Sequence, residues 1–286
     1  MLSGFIIYDN RVERQNAKQK TIPAIRRAAE FIDQVASSPS GVTVTALIDA
    51  VGVPTSTAYR IIRSLTSIGF LEIDEGKRVV IGNELKRYGV RYQLSLDLVS
   101  VASPFIDELS EELSETVKMS ELRGLEVEVT YVASPSSAFR IAVDVGARFP
   151  LHAGAASKLL MAFMPEQARL VYASNSLKRY TAETICDPAN LDEALARIRD
   201  SRSASDTGEY VPGIHAVAFP IINITHDVVA ALSVPYVGAS PSESHKREQI
   251  QVGARRTATR VSRALGARIE GDEYPADIHY TLEPRL

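Results

Sequence analysis

Residues Ala50-Val51-Gly52-Val53-Pro54-Thr55-Ser56-Thr57-Ala58-Tyr59-Arg60-Ile61-Ile62-Arg63-Ser64-Leu65 hold two helical patterns that meet at a glycine. The upstream pattern carries Leu47, Ile48 and Val51 and stops at Gly52. Downstream, Ala58, Ile61, Ile62 and Leu65 follow the i, i+3, i+4, i+7 spacing of a buried helix face. The opposite face presents Ser56, Thr57, Tyr59, Arg60, Arg63 and Ser64. Short hydroxyls, an aromatic ring and two guanidinium groups suit phosphate and base-edge contacts. Two helices joined through a tight glycine-containing turn match a helix-turn-helix, whose second helix enters the major groove.

The flanking sequence extends this motif in both directions. Downstream, Ile68 to Asp74 reads as a strand, Glu75-Gly76-Lys77 as a turn, and Arg78-Val79-Val80-Ile81 as the returning strand. Such a hairpin directly after the third helix is a wing, with Lys77 and Arg78 at a tip able to grip a phosphate backbone. Upstream, Thr21 can cap a first helix and Pro23 suits its first turn. Ile25, Ala28, Ala29, Ile32, Val35 and Ala36 form its apolar face, and loop residues 37–41 end it. Residues 1–20 read as a polar arm. A small helical domain with no DNA role would leave Arg60 and Arg63 merely solvated. Three helices, a glycine turn, a basic outer face and a wing in this order favour DNA binding.

Charge divides the chain at the same place. Residues 1–92 carry 13 Lys and Arg against 9 Asp and Glu, a net +4; the remainder carries 19 against 26, a net −7. Two parts with different partners are expected. The 286 residues, 45% hydrophobic and 23% charged, exclude a wholly disordered or collagen-like chain. The longest apolar stretches, such as Val228 to Val234, are far shorter than the ~20 residues that cross a bilayer. The opening residues lack a basic segment followed by a long apolar one, and Cys186 is the single cysteine, so a reduced, cytoplasmic protein without membrane partners is expected.

From Asn83, the stripe Leu85, Tyr88, Tyr92, Leu96 and Val99 predicts a linker helix over residues 83–102, interrupted only by Gly89. Ser103 then caps a new helix opened by Pro104, with Phe105, Ile106, Leu109 and Leu113 inward. That stripe belongs equally well to the core of the second domain. Beyond Ser120, Leu125 to Val132 alternates with period two, and Phe139 to Val143 is a second candidate strand. Helices are predicted over Ala155–Phe163, Pro165–Ala173 and Leu191–Ser201, strands over Ile214–Ile222 and Val228–Tyr236, and a closing helix over Ser242–Ala267. Strands mixed with helices, including a hairpin, argue an α+β domain over residues 103–270 with an antiparallel sheet. Residues 271–286 read as a loose tail.

The segment Ser56 to Leu65 followed by Gly69-Phe70-Leu71, preceded by Ala50 to Pro54, resembles the DNA-binding domain of IclR-family bacterial transcriptional regulators. The resemblance implies a winged helix-turn-helix over residues 21–82, with Thr55, Ser56, Thr57, Tyr59 and Arg60 on operator DNA and Arg63 nearby. It extends through most of the chain, roughly residues 21 to 267. Gly146 to Ala153 is similar to the family's glycine-then-proline-leucine-histidine turn, and Ala155 to Ala162 to the helix after it, with Ser157 where the family usually has Gly. Asp206 to Ile214, Ala218 to Ile221 and Val228 to Val234 resemble the strands behind the effector pocket of its GAF-like domain.

By position, the resemblance implies Asp206, Ala216 and Ser233 as the polar anchors for an acidic effector, around a wall of Leu151, Ala153, Gly154 and the following helix. At Ala216 the family's thiol has become a methyl, which weakens the case for a very small, carboxylate-rich ligand. A larger, partly apolar acid, aromatic acids included, fits Phe139, Leu151, Met161 and Ile214 better. Those apolar residues would equally suit any core. His215 would point to the opposite face of its strand.

Other chemistries find little support. Gly154 to Lys158 lacks the glycine spacing of a P-loop, the five histidines show no HxxxH spacing, and no GxSxG elbow is present. No metal, cofactor or catalytic residue is expected, and Cys186 reads as passive. The expected protein is an effector-responsive DNA-binding transcriptional regulator. It reads a near-palindromic operator on double-stranded DNA as a homodimer or a dimer of dimers, and a small organic acid switches it. The competing readings are an enzyme with an accessory DNA-binding domain and a ligand-blind DNA-binding protein.

Overall fold

The computed structural model describes residues 22–95, 97–137, 140–238 and 244–280. The expected arm at 1–20 and Phe139 lie outside the described residues. The chain divides into two compact units, Met1–Ser95 and Leu96–Leu286.

In the first unit, helices α1 (Pro23–Ala36), α2 (Val44–Val51) and α3 (Thr55–Ser67) precede the antiparallel hairpin of β1 (Leu71–Ile73) and β2 (Val79–Ile81), and α4 (Asn83–Ser95) follows. Thr43 caps α2 by accepting the Ala46 N–H at 3.3 Å, and Gly52 ends it at φ +67°, a left-handed position that favours glycine. Phe31, Val35, Leu47, Ala58, Ile62, Leu65, Leu71 and Val79 form the core. The buried face of α1 is therefore Ala28, Phe31, Ile32 and Val35, not the stripe that begins at Ile25. Ile25 is 64% exposed, and Ala29 and Ala36 are also exposed. Counting the large Phe31 shifts the stripe around the helix by one residue. Val42 adds a bridge to Val79, so the loop after α1 is tied to the wing.

The second unit is built on a six-stranded antiparallel sheet. Its strands are β3 (Val117–Arg123), β4 (Glu126–Ala133), β5 (Arg148–Pro150), β6 (Ala204–Thr207), β7 (Ile214–Ile222) and β8 (Val228–Val237), in the order β5-β4-β3-β8-β7-β6. Helices α5 (Leu98–Leu113) and α9 (Ser244–Ala264) bury Met119, Val217, Phe219, Leu232 and Val234 on one face. Helices α6 (Ala155–Phe163) and α8 (Pro188–Ser201) bury Ala204, Ala216, Ala218 and Ala231 on the other. Helix α7 (Glu166–Ala173) lies between α6 and α8 in the chain.

Several expectations are corrected. The second helix of the connecting region starts at Leu98, because Asp97 accepts from Val99 N–H and from Ser100 Oγ; Pro104 lies inside that helix, not at its first turn. Residues 140–143 form no strand, and their place in the sheet is taken by β5. Strand β3, central to the sheet, was missed because a bulge between Met119 and Ser120 breaks its period-two pattern. Residues 271–280 are not loose. Tyr274 donates to the Pro220 carbonyl at 2.8 Å, Ile278 is buried, and the His279 carbonyl accepts from Val228 N–H.

Candidate functional site

On α3, Thr55, Ser56, Tyr59, Arg60 and Arg63 are exposed and Thr57 is half-buried, while Ala58, Ile62 and Leu65 turn inward. Ser56, Tyr59, Arg60 and Arg63 repeat the i, i+3, i+4, i+7 spacing one face round, so burial of the apolar stripe aims them outward. Tyr59 is 57% exposed, unusual for a large ring. Among the described residues, the side chains of Arg60, Arg63 and Lys77 take no hydrogen bond or ion pair. Arg78 differs. Its guanidinium donates to the Gly41 carbonyl at 2.9 Å and its backbone N–H to Asp74 Oδ1 at 2.8 Å, so it fastens the wing to the loop after α1. The wing tip is a three-residue loop closed by Asp74, with Lys77 at φ +58°.

In the second unit, strand register gathers the expected polar residues on the sheet face that meets α6. Ser233 lies opposite Ala218, Ala216 lies between Asp206 and Pro235, and all share that face. Gly154 precedes α6 at φ +100°; a Cβ there would lie 4.0 Å from Asp206 Oδ2. Asp206 Oδ1 accepts the Gly208 and Glu209 N–H groups at 2.9 and 2.7 Å, so the carboxylate is held by its own loop and Oδ2 faces Gly154. The Ser233 hydroxyl is buried without a partner. Leu151, Ala153 and Met161 are fully buried in the core behind this corner, and Ile214 is half-buried at the start of β7. His215 projects to the other face beside Tyr236, as its strand parity predicts.

Two features of this corner were missed. Lys118 on β3 pairs directly with Ser233 on β8, which puts its side chain on the same face, and its Nζ sits 4.4 Å from the Phe149 ring centroid. Burial lowers its pKa to about 8, against the attraction of Asp206. The rings of Phe149, Tyr210, Tyr180, His152 and Tyr172 then follow one another at centroid distances of 4.8–5.9 Å. His152 is structural: Nε2 donates to the Lys178 carbonyl at 2.9 Å and Nδ1 meets the Tyr172 hydroxyl at 2.7 Å. The signal for Lys118 lay in the alternation of β3, hidden by the bulge.

Residues 24–75 match the family model described as IclR helix-turn-helix domain, and residues 90–263 the one described as Bacterial transcriptional regulator IclR C-terminal. The chain belongs to the IclR family. It is a DNA-binding transcriptional regulator of that family. Among its IclR-family relatives, HTH-type transcriptional regulator Rv1719 of Mycobacterium tuberculosis is 34% identical over 225 residues, covering 78% of this chain and 85% of that one. The fold matches repressor BlcR of Agobacterium tumefaciens at TM-score 0.66, with 23% identity and 87% and 99% of the two chains covered. An IclR homolog from Microbacterium hydrocarbonoxydans, complexed with 4-hydroxybenzoate, matches at TM-score 0.54, with 22% identity and 86% and 100% covered.

This IclR-family chain also carries a groove of about 780 Å³ along the free edge of β6, lined by Lys158, Arg197, Ser205, Thr207, Glu209 and Arg255 among others. None of the expected effector residues lines it. Its cations are already engaged: Lys158 pairs with Glu209 and donates to the Ser205 carbonyl, Arg197 pairs with Glu193, and Arg255 lies over Phe219, while Glu209 Oε2 is buried without a partner. The corner at Gly154, Asp206 and Ser233 holds polar groups still without partners and is the better candidate for a ligand. Among the described residues no helix is long and apolar enough to cross a membrane, and no group of three or more His, Cys, Asp or Glu could hold a metal ion.

Proposed function

We propose that residues 21–82 place α3 in the major groove of a near-palindromic operator, and that residues 103–270 bind a small organic acid that shifts operator affinity. The observation that carries this is the outward face of α3, where Arg60 and Arg63 stand exposed and unpaired beside Ser56 and Tyr59. Thr55 and Thr57 flank that face and Lys77 extends it from the wing. Arg78 contributes through the wing's attachment rather than as a free cation. A dimer is the smallest assembly that matches two symmetric half-sites, and a dimer of dimers extends the same logic. For the effector, the apolar and aromatic surroundings of Asp206 and Ser233 favour an aromatic acid, and the relative complexed with 4-hydroxybenzoate supports that class.

The test is a gel shift on sites selected from genomic DNA by the wild-type protein. Arg60→Ala is expected to weaken binding at least tenfold, from loss of a contact worth ~1–3 kcal/mol per protomer. Unchanged operator affinity removes Arg60 from the interface.

A further inference from the structure

Lys118 and Asp206 are opposite charges on one sheet face, and yet no ion pair joins them. Each is held by something else: Lys118 by the ring of Phe149, Asp206 by the N–H groups of Gly208 and Glu209. Ser233, directly opposite Lys118 in the β3–β8 register, is fully buried with its hydroxyl unpartnered. Paired positions on neighbouring strands place their Cβ atoms ~5 Å apart, so the hydroxyl and the lysine stem start from adjacent points. A buried hydroxyl without a partner costs stability unless something hydrogen-bonds to it. The corner therefore offers a cation and a hydroxyl at one end and a free carboxylate oxygen at the other, beside the Phe149–Tyr210 ring pair.

Resting on the effector reading above, we propose that Lys118 and Ser233 form an anion subsite at this corner, so that the effector is a hydroxylated aromatic carboxylic acid. Its carboxylate bonds to the Lys118 ammonium and the Ser233 hydroxyl, its hydroxyl donates to Asp206 Oδ2, and its ring lies along Phe149 and Tyr210. The charge order is what selects an acid: Asp206 alone would repel a carboxylate, and Lys118 reverses the sign at the far end. A half-buried lysine with part of its hydration lost gains from an anion that replaces it.

Calorimetry and thermal shift on the full chain test this with 4-hydroxybenzoate, 3-hydroxybenzoate, unsubstituted benzoate and 4-hydroxybenzamide. The wild type is expected to bind a hydroxybenzoate at least tenfold more tightly than the amide or benzoate. Lys118→Met is expected to lose at least tenfold for the acid and nothing for the amide, and Lys118→Arg to keep the preference for acid. The ligand-free melting temperature and the amide affinity of Lys118→Met separate a lost charge from a damaged fold. Acid binding that Lys118→Met leaves intact overturns the subsite while the effector reading survives. Binding of none of the four compounds to the wild type overturns the hydroxylated aromatic class; whether any other small organic acid shifts the melting temperature decides the effector reading, and operator binding is judged separately by Arg60→Ala.

Discussion

At the tip of the wing, Lys77 takes φ +58°, a left-handed backbone conformation that costs a side chain about 1 kcal/mol relative to glycine. A charge kept at such a position fits a role in contacting DNA. Lys77→Gly is expected to stabilise the first unit by about 0.5–1 kcal/mol in urea unfolding. The same change is expected to weaken DNA binding, lowering the salt dependence of affinity by about one phosphate contact per protomer. Lys118 makes the matching case in the second unit. Its pKa is drawn down to about 8, while an unfolded lysine titrates near 10.4. Between those values the unfolded chain binds more protons than the folded one, so stability rises with pH across that window and is flat in this respect below it. Asp206 is the charged group that opposes the shift. Melting temperatures of wild type and Lys118→Met, compared from pH 7 to 10, should diverge in that direction.

Between α6 and the loop after β6, Lys158 and Glu209 form a buried ion pair that also covers the Ser205 carbonyl on the edge of the sheet. Burial raises the Glu209 carboxyl and Lys158 opposes that rise. Removing one partner strands the other, so Lys158→Met is expected to cost about 3–5 kcal/mol in denaturant unfolding. In that variant Glu209 loses its counter-charge, and a carboxyl raised above its unfolded value stabilises the fold as pH falls through the folded value. The variant should therefore recover part of its loss on acidification, and a loss independent of pH would contradict the burial of an unpaired carboxylate. The bounds of α6 and β7 were legible from sequence, because each is a mostly apolar run, broken only by Ser157-Lys158 in α6 and His215 in β7, and closed by a proline, glycine or polar turn. Strand β3 was not, because its bulge breaks the alternation that marks a strand. The start of α5 was displaced because Asp97, a stronger cap than Ser103 in its context, uses its carboxylate on both Val99 and Ser100.

At the scale of the molecule, the two units carry separate cores: one of Phe31, Leu47, Leu65 and their neighbours, the other wrapped on both faces of the six-stranded sheet. Separate cores allow operator and effector to bind different units, and coupling then requires that the effector favour one state of the whole chain over another. Such coupling is reciprocal. If a hydroxybenzoate changes operator affinity by some factor, operator DNA must change hydroxybenzoate affinity by the same factor, within the 5- to 150-fold range usual for allosteric proteins. Titrating the acid by calorimetry with and without saturating operator checks this; an acid affinity that operator leaves unchanged would mean that the acid does not regulate DNA binding.

The sequence by itself determined the DNA-binding half almost completely. There, function rides on local periodicity: burying Ala58, Ile62 and Leu65 leaves Tyr59, Arg60 and Arg63 facing out, and a glycine at φ +67° sets the turn between helices. It also indicated Asp206 and Ser233 through the resemblance of the strands that carry them. What only the tertiary structure decided was Lys118 as their neighbour, since that depends on the register of β3 against β8, a pairing of residues more than a hundred positions apart. Tertiary structure also committed Arg78 to the Gly41 carbonyl and docked residues 271–280 onto the β7–β8 turn. Periodicity reports which way a side chain points from its own element, and the meeting of charges across a sheet is set by how the strands align.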